Sequence, residues 1–199
     1  MKQIFLIVSL AFALLGAPVA QANLITFTTS MSGALEAPPN DSLGTGTGKL
    51  TFNTDLHTMR VEINFSGLTG TTTAVHIHCC TALAGEGTVG VATQLPSFTG
   101  FPLGVTSGAY DHIFDMALTS SYSSGFLTAN GGTAPAAETA LINGLLAGKA
   151  YLNIHSTFRP GGEIRGFYAV SVPEPATLTL LGIGLVLLGV GFVCRRRVG

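Results

Sequence analysis

The residues in this chain best suited to chemistry sit in Thr73-Ala74-Val75-His76-Ile77-His78-Cys79-Cys80. In an extended strand, positions i and i+2 project from the same face. His76 and His78 then point one way, and Val75 and Ile77 the other. Two imidazoles side by side are costly in a packed interior, because each needs a hydrogen-bond partner or a metal. A second stretch, Lys149-Ala150-Tyr151-Leu152-Asn153-Ile154-His155, brings one more histidine and leads into Pro160-Gly161-Gly162-Glu163-Ile164-Arg165-Gly166. Three neutral imidazoles from two strands form a workable donor set for Zn or Cu. The competing reading is a buried polar cluster in which the rings hydrogen-bond with Asn153, Glu163 and backbone.

Cys79 and Cys80 admit three readings. They can form a vicinal disulfide, although Cα atoms about 3.8 Å apart across a trans bond fall below the usual disulfide range of roughly 4.4–6.8 Å. They can add soft ligands to the histidines, or pair with another chain. Glu163 and Arg165 share a strand face and read as an ion pair or a turn anchor. No Ser/His/Asp order and no carboxylate pair stands out, so the sequence points away from an enzyme. Gly44-Thr45-Gly46-Thr47-Gly48-Lys49 fails as a phosphate loop, because the glycine spacing is wrong and Leu50 follows the lysine.

Other segments must deliver these residues to their place. The start, Met1-Lys2-Gln3, is basic and precedes an apolar run over 4–15 and a small-x-small site at Ala20-Gln21-Ala22. Residues 1–22 therefore read as a secretory signal peptide. Residues 177–194 are 18 positions without a charge, followed by Arg195-Arg196-Arg197. As a helix they span about 27 Å, close to the hydrocarbon core of a bilayer. The arginines stay cytoplasmic, so the chain before this helix lies outside. Residues 171–176 are a linker and 195–199 a basic tail. The exported portion, 23–172, carries five basic and nine acidic residues, a net charge of −4, which excludes a nucleic-acid footprint.

Within the domain, 23–170, residues 24–33 read as a first strand and 49–52 as a second. Met59, Val61, Ile63 and Phe65 alternate with Arg60, Glu62, Asn64 and Ser66, a half-buried strand. Further strands are expected at 73–80, 87–92, 109–118, 150–157 and 163–170, with a long loop over 95–108. One helix is expected over 133–148, with Thr133 as cap, Pro135 in its first turn, a stripe of Leu141, Leu145 and Leu146, and Gly148 at its end. The pattern argues an all-β fold, an antiparallel β-sandwich or barrel with one short helix, plus the C-terminal transmembrane helix.

The order of motifs resembles the CHRD domain family. The residues that carry it are Gly33-Ala34-Leu35-Glu36-Ala37-Pro38-Pro39, Gly46-Thr47-Gly48, Gly67-Leu68-Thr69-Gly70, His76-Ile77-His78, Tyr151-Leu152-Asn153-Ile154-His155 and Gly162-Glu163-Ile164-Arg165-Gly166. Asn153, Glu163 and Arg165 belong to that signature. The chain departs from it at Cys79-Cys80, where most members carry Gly or small residues. His-x-His with a later strand histidine is also similar to copper/zinc superoxide dismutase. That likeness implies a Cu or Zn redox protein or carrier as the alternative to a structural or binding module. The C-terminus resembles a PEP-CTERM sorting signal, with Val172-Pro173-Glu174-Pro175, one apolar span and three arginines. Pro173, Glu174 and Pro175 would form an extended, helix-refusing handle outside the membrane. The resemblance implies an exosortase and the secretion machinery as partners. It also implies membrane anchoring before release to the surface, and a Gram-negative bacterium that makes exopolysaccharide, hence a place in a biofilm matrix among polysaccharide or other surface proteins.

Overall fold

A computed structural model describes residues 23–171. The expected signal peptide, the PEP handle at Pro173, Glu174 and Pro175, the apolar span and the basic tail lie outside the described residues. Among the described residues no helix is long and apolar enough to cross a membrane.

The strands are β1 (Leu24–Ser32), β2 (Thr45–Asn53), β3 (Thr58–Ser66), β4 (Thr72–Cys79), β5 (Gly108–Asp115), β6 (Ala150–Ser156), β7 (Ile164–Phe167) and β8 (Ala169–Val170). They form one eight-stranded sheet in the order β4-β6-β7-β1-β2-β3-β5, with β8 beside β1. The pairings are antiparallel. The expected β-sandwich or barrel is thus a single curled sheet rather than two stacked ones. Its concave face holds the core, with Phe27, Leu50, Phe52, Met59, Val61, Ile63, Val75, Ile77, Leu152, Ile154 and Ile164 among its buried side chains. The curl is tight enough that a Cβ on Gly48 of β2 would lie 2.7 Å from Leu152 of β6, a strand three places away in the sheet.

Among the described residues two α-helices, not one, pack on the core: α1 (Ser124–Ala129) and α2 (Ala134–Leu146). The short α1 is capped by Ser123, whose Oγ accepts from the Phe126 amide at 3.1 Å. It was missed because six residues carry too little periodicity to read. In α2, Pro135 sits in the first turn as expected, but the Thr133 side chain makes no cap bond. Leu141 and Leu145 are buried and Leu146 is half exposed, so the stripe is two leucines wide. The expected strand over 87–92 is a loop joined to β4 by one bridge, His78 to Val91. β2 begins earlier than expected and includes Thr45-Gly46-Thr47-Gly48.

β4 is an edge strand, and β6 and β7 follow it. From Val75 onward β4 is buried on both faces, and so is most of β6. One face meets the apolar core. The other carries polar side chains and is covered by three loops, over 33–40, 81–97 and 157–163.

Candidate metal centre

The register of β4 against β6 assembles the site. His76 lies opposite Asn153, His78 opposite Tyr151, and Ala74 opposite His155. His155 is therefore the diagonal neighbour of His76 on the same sheet face, within reach of a ring. The His76 and His155 ring centroids are 5.1 Å apart, His76 and His78 6.0 Å, and His78 and His155 5.9 Å. His78 also stacks on Tyr151 at 4.8 Å with the rings 3° from parallel.

The covering loops fix the proton on each ring. His76 Nε2 meets the Pro96 carbonyl at 2.7 Å, His78 Nδ1 the Val89 carbonyl at 2.8 Å, and His155 Nδ1 the Pro160 carbonyl at 2.9 Å. A carbonyl only accepts, so each of these nitrogens carries the hydrogen. The other nitrogen of each neutral ring is then a bare lone pair. Those three atoms, His76 Nδ1, His78 Nε2 and His155 Nε2, are buried and have no hydrogen-bond partner. Each histidine places a ring nitrogen within 4.8 Å of those of the other two. A ring with one nitrogen donating to a carbonyl and the other free is the form in which histidine ligates metal.

Burial also keeps the rings neutral. It pushes His76 and His78 down to about 4; the carbonyl hydrogen bonds oppose that shift, and the neighbouring histidines add to it. His155 moves the same way for the same first cause. The pattern separates two readings of the trio. A self-contained polar cluster would pair its acceptors with donors. Here three clustered rings each leave a buried acceptor unpaired; a single water has only two hydrogens to offer, whereas a cation can take a lone pair from every ring.

A tetrahedral site with Zn–N of about 2.0–2.1 Å needs nitrogens roughly 3.3 Å apart. The upper limit of 4.8 Å therefore requires the rings to close by about an ångström or more. No carboxylate or thiolate belongs to this group among the described residues. Three neutral imidazoles suit Zn and Cu over the oxygen-seeking Ca and Mg.

The other expected residues fall around the trio. Cys79 and Cys80 are joined to each other as a disulfide, so they offer no thiolates to the histidines. Cys79 points into the core and Cys80 is exposed. The expected trans peptide between them is cis, with Cα atoms 3.0 Å apart. Glu163 and Arg165 do not pair with each other. Glu163 is fully buried and accepts from the amides of Thr69 and Gly70 and from the hydroxyls of Ser42 and Ser156, making it the anchor of the Gly-Leu-Thr-Gly turn. Burial opposes its charge, but those four donors hold its carboxyl below the ordinary value. Arg165 donates to the carbonyls of Leu35 and Gly87 and lies over the Tyr151 ring at 4.9 Å, so it ties two covering loops to the sheet.

Glu36 is the residue that sequence reasoning missed. It is 8% exposed, stands 3.9 Å from Arg165, and leaves Oε1 without a partner beside Asn153 and Gly162. Burial pushes its carboxyl up to about 7, against the pull of Arg165 and the Ala37 amide. Its only sequence signal was its place in the Glu-x-Pro-Pro segment. The remaining histidines lie elsewhere: His57 bonds Glu138 of α2 at 2.7 Å, and His112 is on β5. A broad concavity of about 610 Å³ runs over Thr28, Thr47, Lys49 and Glu62 on the outer face of β1–β3 and includes none of the three histidines.

The comparisons with known proteins place the chain. A CHRD domain model matches residues 27–168, and a PEP-CTERM protein-sorting motif matches residues 171–197. No curated protein and no solved structure matched the chain. The sorting motif implies export, membrane anchoring before sorting toward the surface, and processing by an exosortase. With most of its length inside that match, the chain belongs to the CHRD domain family.

Proposed function

We propose that this protein is a non-enzymatic surface or matrix module that holds one Zn²⁺ or Cu²⁺ ion through His76, His78 and His155. The observation that carries the reading is a cluster of three rings, each with one buried, unpartnered nitrogen and an opposite nitrogen that donates to a backbone carbonyl. Three histidines leave at least one coordination position, available to water or to a donor from a bound partner. The Arg165 charge is felt at His78, which suits an anionic donor there. The sorting motif supports an exopolysaccharide-producing Gram-negative host, where the module would sit among matrix polysaccharide and other surface proteins. A signal peptide over 1–22 is the expected route of export.

The test is metal stoichiometry. The purified full-length chain, stripped with chelator, exposed to Zn²⁺ or Cu²⁺ and dialysed, should retain about one equivalent by elemental analysis. His76→Ala and His155→Ala should each retain less than a tenth of that. A folded wild-type chain that keeps no metal would sink the proposal. Superoxide dismutation by the loaded protein would overturn its non-enzymatic part.

A further inference from the structure

The Cys79–Cys80 disulfide is not used by the histidine site, although it begins one residue after His78. It lies at the end of β4, against helix α2. Cys80 Sγ is 3.8 Å from the Ala140 carbonyl. Gly144 is one turn further along the same helix face. A methyl group at Gly144 would overlap the sulfurs of both cysteines. The glycine thus opens a seat in the helix surface that both sulfurs fill. Gly144 is buried, Cys79 is 4% exposed, and Cys80 reaches solvent.

This seat fits only the bonded pair. Bonded sulfurs sit about 2.05 Å apart, whereas non-bonded ones need roughly 3.5 Å or more. Opening the bond must push one sulfur out of the seat. Cys79 is enclosed by the core, so Cys80, the exposed residue of the pair, is the one that can leave, and an incoming thiolate approaches from its side.

We propose that Cys79–Cys80 is a thiol–disulfide exchange site for a soluble dithiol, and that its redox state controls how α2 docks on the sheet. A thiolate of the dithiol attacks Cys80 Sγ, and the Cys79–Cys80 bond breaks. Cys79 leaves as thiolate and takes up the proton that the dithiol released. The second sulfur of the dithiol then attacks the first, freeing Cys80 with the second proton and closing the dithiol into its own disulfide. Two electrons pass from the dithiol to the pair. The reduced pair no longer fits over Gly144, and the C-terminal half of α2 loosens. The dithiol's own disulfide form runs the same exchange backward, taking two electrons and two protons from Cys79 and Cys80, and reseats the pair.

The experiment uses the full-length chain carrying Cys194→Ser, so that all thiol signal comes from the pair. Intact-mass counting after maleimide treatment should show no adduct before dithiothreitol and two afterwards, without denaturant. Hydrogen exchange over 140–146 should speed at least tenfold on reduction, while that over 58–66 in β3 stays unchanged. Gly144→Ala, which fills the seat, should be reduced at least tenfold faster than wild type; the wild-type readings decide the matter should that variant fail to fold. Two adducts before reductant, none after it, unchanged exchange in α2, or exchange rising equally throughout the chain would each overturn the proposal.

Discussion

At the residue scale, the histidine trio is defined by its acceptors. Carbonyls of Pro96, Val89 and Pro160 select the tautomer of each ring, and burial removes the alternative of a charged ring. This fixes the acid response of the metal-free protein. Between pH 6.5 and about 4 the unfolded chain binds protons on His76 and His78 that the folded chain does not, so stability falls as pH falls through that window. Each ring alone is worth about 3 kcal/mol. Glu36 acts in the opposite direction: raised to about 7, it takes its proton earlier in the folded state and offsets about one histidine. These three groups together give a loss of about 3 kcal/mol from pH 7 to pH 4, and His155, lowered in the same direction, adds to it; urea unfolding in chelator measures the sum. Glu36→Gln should steepen the loss, and a stability maximum near pH 5 would contradict the assignment. Glu163, held below its ordinary value, adds stability above about pH 4.5 that disappears on further acidification. Glu163→Gln should cost about 2–3 kcal/mol at pH 7 and flatten that acid limb, because an amide cannot accept from all four donors.

At the scale of elements, the decisive feature is a strand pair buried on both sides. In β3 the alternation of Met59, Val61, Ile63 and Phe65 with polar residues gives one wet face, and the burial pattern follows it. In β4 and β6 the same alternation separates an apolar face from a polar one, but both are enclosed. Close approach between elements is secured by particular glycines. A methyl at Gly166 of β7 would overlap the backbone carbonyl of Ser30 in β1, so Gly166→Ala should destabilise by about 3 kcal/mol or more. Gly125 in α1 has open space around its Cβ position, and Gly125→Ala should instead stabilise by up to about 1 kcal/mol. Thermal denaturation of the two variants side by side checks the contrast.

At the scale of the whole molecule, the proposed metal, bound only by the folded state, would link the site to global stability. At a free metal concentration a hundred times the dissociation constant the gain is about 2.7 kcal/mol, which corresponds to a rise of about 5–10 °C in Tm for a domain of this size. His155→Ala should abolish the rise while the metal-free Tm stays close to wild type, since removing that ring also removes an unpaired buried acceptor. The sorting motif acts on the same molecule from outside the domain. Alanines in place of Pro173, Glu174 and Pro175 should leave the chain in the membrane fraction, whereas the wild type is processed and released toward the surface; equal release of both would refute the role of those residues.

The sequence by itself determined that His76 and His78 share a strand face, because period two is a local property of extended chain. It likewise determined the half-buried strand at 59–66, the main helix and the order of family motifs. Only the tertiary structure decided that the strands join one curled sheet, that 87–92 is a loop whose carbonyls serve His78 and Arg165, and that Glu36 is drawn beside Arg165. It also decided that Cys79 and Cys80 bond to each other and rest on Gly144, which lies more than sixty residues away in sequence. The physical reason is common to all of these. Side-chain direction along a strand is set by neighbouring residues, whereas the partner of a buried nitrogen or sulfur is set by whatever distant backbone the fold brings to it.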